Sequence, residues 1–411
     1  MAKKKNKSGG DTVKIKVPGS RKKVKMPVWL FLVIILVAAV AVGGYFAYSY
    51  FSKKNNSSST SSSTSSSGSV TTSQYVEGDS APITFNFIEQ GNQYTGDCTY
   101  IKAGDNDILI DAGNRTGCAT TLSDYMDNSK RQDDFVADGK LEYVIATHAH
   151  QDHIAGFVGN SNSSATGGRT GLLYHYKVDT LIDFAQHNTV SSIYTNYDAA
   201  RNYAIGLGAK HYTALECWNG ENGGSRTYTL GKNLTMTILY TEFYTKKSTN
   251  ENNNSVCLLF TQGSKNFLFT GDAEADAEAS LIANNTLPEV ELFKCGHHGS
   301  GTANSDALLS VIKPKMVCIC CCAGNQEYAS DPNNSFPYQV TIDRISNYTD
   351  KVYVTTLGSW DDASYHEPFN GNIIVGYDTS GAETLECSNN DTKLKDSAWF
   401  KAHRTTPAAW A

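Results

Sequence analysis

Short apolar runs punctuate the chain from residue 84 onward. They fall at Thr84 to Phe87, Ile108 to Ile110, Leu141 to Ala146, Leu234 to Tyr240, Val256 to Phe260, Phe267 to Thr270, Val290 to Cys295, Met316 to Cys322, Val352 to Thr355 and Ile373 to Tyr377. Their brevity and their β-branched and aromatic content predict strands. Stretches with helical spacing intervene at Thr189 to Ile205, Ala273 to Ala283, Ser305 to Ile312 and Val340 to Ser346. Strands mixed with helices over this length predict one layered α/β or α+β domain, 81–387, followed by a C-terminal tail, 388–411.

The first fifth of the chain follows different rules. Residues 1–25 carry nine lysines and Arg21 against Asp11 alone, and no charged residue occurs from Val28 to Phe51. An apolar run of about 20 residues is enough for a helix to cross a bilayer. The exit, Tyr45, Phe46, Tyr48, Tyr50 and Phe51, suits the aromatic belt at a membrane surface. The expectation is a basic cytoplasmic arm (1–25) and a single transmembrane helix (26–51), with the rest of the chain extracellular. A cleaved signal peptide ending at Ala39-Val40-Ala41 is the competing reading, and it too exports the domain. Residues 52–80, dominated by Ser and Thr, predict a flexible linker.

Charge sharpens the contrast. Of 35 Lys and Arg, 12 lie in the first 54 residues with one acid, so the remainder carries 23 basic against 40 acidic residues, a net −17. That is a poor build for a polyanion partner, because nucleic-acid binding draws much of its affinity from Lys and Arg. Ten cysteines in an exported chain would ordinarily suggest bridges. Six of them, Cys98, Cys257, Cys295, Cys318, Cys320 and Cys322, fall in strand-like runs where a thiol acts as a small apolar group. Mostly unpaired cysteines are expected, with Cys98 to Cys118 the pair to inspect. The run Cys318 to Cys322 lacks metal-ligand spacing.

The candidate chemistry follows the run 141–146: Thr147-His148-Ala149-His150-Gln151-Asp152-His153-Ile154-Ala155-Gly156. Three imidazoles and a carboxylate at one strand end are the ligand types that zinc-like ions take. The motif resembles the His-x-His-x-Asp-His signature of the metallo-beta-lactamase superfamily. Three further segments agree in order: Ile108-Leu109-Ile110-Asp111-Ala112-Gly113, Leu268-Phe269-Thr270-Gly271-Asp272 and Gly296-His297-His298-Gly299-Ser300. With Asn252 to Val256 and Lys294 to Ser300, the pattern is similar to the hydrolase domain of ComEC-type competence proteins and to bacterial surface phosphorylcholine esterases.

The resemblance implies an α+β fold, a four-layer αβ/βα sandwich with metals at one edge of two facing sheets. It implies His148, His150, Asp152, His153, Asp272 and His297 as ligands of one or two zinc ions, with manganese the alternative. Asp272 would be shared, and Asp111 would support the histidines from behind. His298 would stabilise charge or protonate the leaving group, although it could take the ligand role instead of His297. Many superfamily members carry a histidine where this chain has Asn254 or Ser255, so the site of His148 and His150 is expected to bind more weakly. The remaining histidines read as solvated or hydrogen-bonded side chains, with His366 the best exception, and some aromatic residues of 160–231 could line a sugar or choline pocket, although helix packing explains most of them.

A bound metal lowers the pKa of water to about 7 and so provides hydroxide near neutrality. The expected function is a membrane-anchored extracellular hydrolase acting on a small or cell-envelope phosphoester. The alternatives are a ComEC-like nuclease acting on DNA and a surface binding protein without turnover.

Overall fold

In the computed structural model, residues 79–128, 136–160 and 168–411 are described in full, and 12–16 and 23–27 by their backbone. The latter pair as an antiparallel ribbon, β1 (Thr12–Lys16) with β2 (Lys23–Pro27), inside a unit of residues 1–73. Met26 and Pro27 therefore end a strand instead of starting a helix, in keeping with the period-two alternation of Lys23-Val24-Lys25-Met26. The uncharged run 28–51 lies outside the described residues, as does nearly all of the linker. Among the described residues no helix is long and apolar enough to cross a membrane.

The second unit, 74–411, is built on two eight-stranded sheets. The first holds β3 (Ile83–Phe87), β4 (Thr99–Ala103), β5 (Asn106–Ile110), β6 (Lys140–Ile145), β7 (Lys177–Asp183) and β8 (Lys210–Thr213), in that order. Beside β3 come β17 (Ile373–Tyr377) and then β18 (Glu383–Cys387). The second runs from β9 (Thr227–Gly231) through β10 (Leu234–Leu239), β11 (Cys257–Gln262), β12 (Lys265–Phe269), β13 (Leu292–Lys294), β14 (Met316–Ala323) and β15 (Val352–Gly358) to β16 (His366–Pro368).

Each sheet is antiparallel in one part and parallel in another, β5 to β8 in the first and β12 to β15 in the second. Parallel neighbours need crossovers. Helices supply them: α1 (Cys118–Met126), α2 (Gln151–Val158), α3 (Leu172–His175) and α4 (Ser192–Gly206) in the first half, α6 (Ala275–Asn284), α7 (Asp306–Ile312) and α8 (Gln339–Ser346) in the second. The short α5 (Ala214–Asn219) joins the two sheets and opens on a Thr213–Glu216 capping box.

The inner faces lock through phenylalanines. Phe85 of the first sheet lies 4.8 to 5.8 Å, ring centre to ring centre, from Phe260, Phe267 and Phe269 of the second. Each such ring, fully buried, contributes about 1.5–3 kcal/mol. Strand β14 divides its side chains by the period of two: Cys318 and Cys320 face the inter-sheet core, while Val317, Ile319 and Cys321 face the outer one. All ten cysteines are free, Cys98 and Cys118 included. The expected tail is part of the domain. Its Leu394 and Phe400 are fully buried, Trp410 nearly so, and α9 (Ala398–His403) belongs to the outer core. Dense charges between these apolar residues hide the packing face in the sequence.

The topology decides where chemistry can sit. Asp111, the histidine motif, Asp272 and the His297-His298 pair follow the C-terminal ends of β5, β6, β12 and β13, four parallel strands drawn equally from the two sheets. Ligands of open α/β sheets gather at such ends.

Candidate metal centre

After β6 a short loop bends at Ala149 and, through the extended His150, enters α2, which carries Asp152 and His153 in its first turn. Close approach of backbones fixes this corner. Ala112 donates to the His153 carbonyl at 2.7 Å, and Gly156 donates to the Ala112 carbonyl at 2.7 Å. A Cβ on Gly156 would lie 2.0 Å from that carbonyl oxygen, so only glycine fits. Asp111, in the left-handed region at φ 58°, accepts from the Thr147 amide at 2.8 Å and the Thr147 hydroxyl at 2.7 Å.

The side chains converge on Asp272. Its Oδ2 lies 3.1 Å from His153 Nε2, 3.4 Å from His298 Nε2, 3.9 Å from His148 Nε2 and 4.0 Å from His297 Nε2. Asp152 Oδ2 is 3.3 Å from His298 Nε2, and His148 Nε2 is 3.0 Å from His150 Nδ1. The far nitrogens fix the tautomers. His153 Nδ1 donates to Asp111 Oδ2 at 2.7 Å, and His298 Nδ1 donates to the Cys320 carbonyl at 2.9 Å. Both rings thus present an unprotonated Nε2 to Asp272 when neutral. Among the described residues, His298 Nε2 and Asp272 Oδ1 are buried polar atoms without a hydrogen-bond partner. Such atoms are costly to bury and mark a place for an ion.

Electrostatics point the same way. Asp97, Asp111, Asp152 and Asp272 are all buried, and the one ammonium among them is Lys294, whose Nζ is 2.7 Å from Asp97 Oδ2. Burial pushes Asp97 up, but Lys294, His298 and His153 outweigh it and hold the carboxyl at about 2. Burial likewise opposes ionisation of Asp272, and His153, His298 and His297 together carry it well below the usual range. His148 is driven well below its ordinary value by burial and by the neighbouring His153 and His150, leaving a neutral donor. His153 and His298 are pulled up against burial, chiefly by Asp272 with Asp111 and Asp97 respectively. Carboxylates that favour positive charge on two buried rings favour a divalent cation between them equally well.

The placement corrects the expected division between the two adjacent histidines. His298 is the buried one, with its Nε2 between Asp152 and Asp272, while His297 is about a fifth exposed and faces the cleft. Left-handed backbone at both, φ 46° and 52°, sets these directions, and residue spacing does not reveal it. Asp97, unremarked in the sequence, joins His153, Asp272 and His298 in a set whose ligand atoms lie within 4.8 Å of one another. It meets His298 on the Nδ1 side at 3.2 Å and is paired with Lys294. Asp152, on the Nε2 side, is the better fourth ligand.

Ser255 is also placed: its Oγ accepts from the Asp272 amide at 3.0 Å. Glu251, likewise unforeseen, ties Ala149 and Thr189 together through their amides. His366 Nδ1 lies 3.4 Å from the Ser364 carbonyl, and the residue is not among the described ones that line the cleft.

The model of the Metallo-beta-lactamase superfamily matches residues 91–159, the segment that carries Asp97, Asp111 and the histidine motif. With two mixed sheets and the site at their parallel ends already in view, this decides the architecture. The fold is the metallo-beta-lactamase fold. Such a fold implies a divalent metal, typically zinc, and supports a metallo-hydrolase.

Two curated relatives match parts of the chain. Recombination protein 2 of Haemophilus influenzae is 32% identical over 107 residues, 26% of this chain and 12% of that protein. ComE operon protein 3 of Bacillus subtilis is 24% identical over 224 residues, 53% of this chain and 24% of that protein. The chain thus spans at most a quarter of the length of these relatives. Among solved structures, the metallo-beta-lactamase fold protein YhfI from Bacillus subtilis is 14% identical, covers 70% of this chain and 99% of its own, and has a TM-score of 0.38.

Above the buried side chains opens a cleft of about 520 Å³, with His150, Asp152, Asp272 and His297 at its floor. One wall is aromatic. The Phe336 ring lies, tilted, 5.7 Å from Tyr338, 6.3 Å from Tyr328 and 5.8 Å from His298. Thr189 and Ser191 line the cleft as well. The aromatic residues of 160–231 take no part in this lining; the expected pocket rings come from 328–338 instead.

Proposed function

We propose that the chain is a membrane-anchored hydrolase whose extracellular domain cleaves small phosphoesters with the help of one or two divalent ions. The observation that carries this reading is the cleft. Its floor is a ring of imidazoles and carboxylates suited to zinc, and no Lys or Arg occurs among its described lining residues. Asp152, His153, Asp272 and His298 would hold one ion. When bound, it would supply a Lewis acid and a nucleophilic water at neutral pH.

The chain's own groups do the rest. Asp111 and the Cys320 carbonyl hold His153 and His298 in the donor tautomer. Phe336 and its neighbours exclude water from one side and give an apolar leaving group a surface to lie on. Without a basic track, a long polyanion gains little from the walls, whereas a small phosphoester needs only the charge at the floor. The basic arm and uncharged run of residues 1–51 support the anchoring, with manganese the alternative to zinc.

A second reading is a nuclease acting on DNA, favoured by the likeness to a relative named as a recombination protein. One experiment separates them. The purified protein, loaded with zinc or manganese, is offered bis-p-nitrophenyl phosphate, p-nitrophenyl phosphorylcholine, single-stranded DNA and nitrocefin. Metal-dependent cleavage of a small phosphodiester, lost in His148→Ala and Asp152→Ala, is expected. Efficient DNA degradation at physiological salt with the small esters intact would give the site to the nuclease.

A further inference from the structure

The chain leaves the second sheet after β14 and closes on itself before α8. Gly324 donates to the Phe336 carbonyl at 2.9 Å, so residues 325–335 form a loop whose ends meet. The aromatic wall of the cleft, Tyr328, Phe336 and Tyr338, lies in this loop or at its foot. Tyr328 sits in left-handed backbone at φ 62°, and its ring is 57% exposed, so packing returns little for the strain. Such backbone at a residue other than glycine persists where the surroundings impose it, and it gathers at ligand-binding sites.

Two anchors impose it here. Glu327 accepts from the Thr95 amide at 2.7 Å and from Arg115 Nη2 at 2.8 Å, which ties the loop to the first sheet's side of the cleft. The second anchor is Arg404, the residue that ends α9 in the C-terminal segment. Its Nε donates to the Pro337 carbonyl at 3.1 Å, its Nη1 to the Pro332 carbonyl at 3.3 Å, and its Nη2 to the Ser335 carbonyl and hydroxyl at 2.8 and 3.0 Å. The clamp therefore straddles Phe336. Among the described residues no carboxylate pairs with this half-buried guanidinium, which lies over the Trp399 ring at 4.7 Å. A cation withdrawn from water without a counter-ion is costly, and the return is a fixed loop. Neighbouring contacts reinforce it: a Cβ on Gly324 would fall 2.4 Å from Trp399 Nε1, and Gln339 exchanges two hydrogen bonds with the Thr405 backbone, at 2.8 and 2.9 Å.

We infer that Arg404 is a positioning residue of the cleft: by holding Phe336, and with it Tyr328 and Tyr338, as a fixed subsite, it sets a preference for phosphoesters that carry an aromatic group. The Phe336 ring lies 5.8 Å from that of His298 and 6.0 Å from that of His297, so a group resting on it sits beside the candidate metal centre. A ring laid against aromatic rings gains about 2- to 12-fold in affinity beyond what its buried area gives. The gain depends on a wall already in place, because a loop ordered only on binding gives it back as lost conformational freedom. Four bonds from one planar group fix direction as well as distance, which a lysine ammonium cannot reproduce.

The inference rests on the phosphoester reading, and binding measurements separate their failures. The purified full chain, loaded with zinc, is titrated with phenylphosphonate and methylphosphonate by calorimetry, beside Arg404→Gln, Arg404→Lys and Phe336→Leu. Circular dichroism checks folding, and amide exchange follows residues 325–337. Wild type is expected to bind phenylphosphonate more than about tenfold tighter than methylphosphonate. Arg404→Gln should lose most of that preference, raise KM for bis-p-nitrophenyl phosphate more than it lowers kcat, and exchange faster in 325–337, with zinc uptake as in wild type. Arg404→Lys, which keeps the charge without the fork, should fall between the two, and it carries the test if Arg404→Gln does not fold. Phe336→Leu should lose the preference without the faster exchange. An Arg404 variant that folds, melts earlier and keeps the full preference would show a merely structural role and overturn the inference. So would a wild type that binds the two phosphonates alike, or a Phe336→Leu protein that still discriminates, and in each of these cases the phosphoester reading stands. A wild type that takes up zinc and binds neither phosphonate overturns both.

Discussion

Replacing Lys294 by Met removes the one ammonium from a pocket of four buried carboxylates. Its Nζ is 2.7 Å from Asp97 Oδ2 and donates to the Cys295 carbonyl at 2.8 Å, and both side chains are almost fully buried. Stripping one partner from such a pair costs about 3–5 kcal/mol, because the other charge stays desolvated. A second route gives a comparable size. A carboxyl held at about 2, against about 3.9 in an unfolded chain, contributes about 2–3 kcal/mol above pH 4.

The sign is that of a depressed pKa: the stabilisation is complete above about pH 4 and is lost as pH falls towards 2. In a domain of this size about 2 °C of Tm accompanies each kcal/mol, so Lys294→Met should melt about 6–10 °C below wild type at pH 7. Asp97→Asn should fall by a similar amount, since it strands the lysine. The double variant should regain most of the loss, because a neutral pair owes no desolvation. Calorimetry at pH 7 measures all four corners of the cycle. A Lys294→Met protein melting within about 2 °C of wild type, or a double variant as unstable as the sum of the singles, would show that Asp97 does not carry the buried charge.

Two further outcomes are expected. Asp111→Asn keeps the shape of the corner but no longer fixes His153 as a donor through Nε2, so metal affinity should fall about 10–100-fold with little change in melting, read by competition with a chromophoric chelator; unchanged affinity would remove Asp111 from the site. Gly156→Ala forces a methyl onto the Ala112 carbonyl oxygen, for which about 1–3 kcal/mol of overpacking is expected together with weakened metal binding, and a variant as stable as wild type would contradict the close approach.

Much of the fold is legible in the sequence because buried strands announce themselves as short apolar runs. Met316 to Cys322 and Ile373 to Tyr377 fall within one residue of β14 and β17. Edge strands do not announce themselves: Thr227–Gly231 and Glu383–Cys387 are half polar and pass for loops. At the site, spacing within one loop reveals His148, His150, Asp152 and His153, since they share a strand end. It cannot show which of two adjacent histidines turns inward, because that depends on two dihedral angles. Nor does it show that Asp97, far from Lys294 in sequence, meets it across the sheets. The aromatic wall escapes notice for the same reason, as Tyr328, Phe336 and Tyr338 come from a polar-looking segment whose role is set by where β14 ends.

The candidate ligand atoms come from both sheets, His148, His150, Asp152 and His153 from the first and Asp272, His297 and His298 from the second. A cation held among them would therefore act as a rivet across the seam where the two halves meet. Any fluctuation that parts the sheets must first surrender the ion, so the rate at which a chelator strips the protein becomes a clock for the opening of the sandwich.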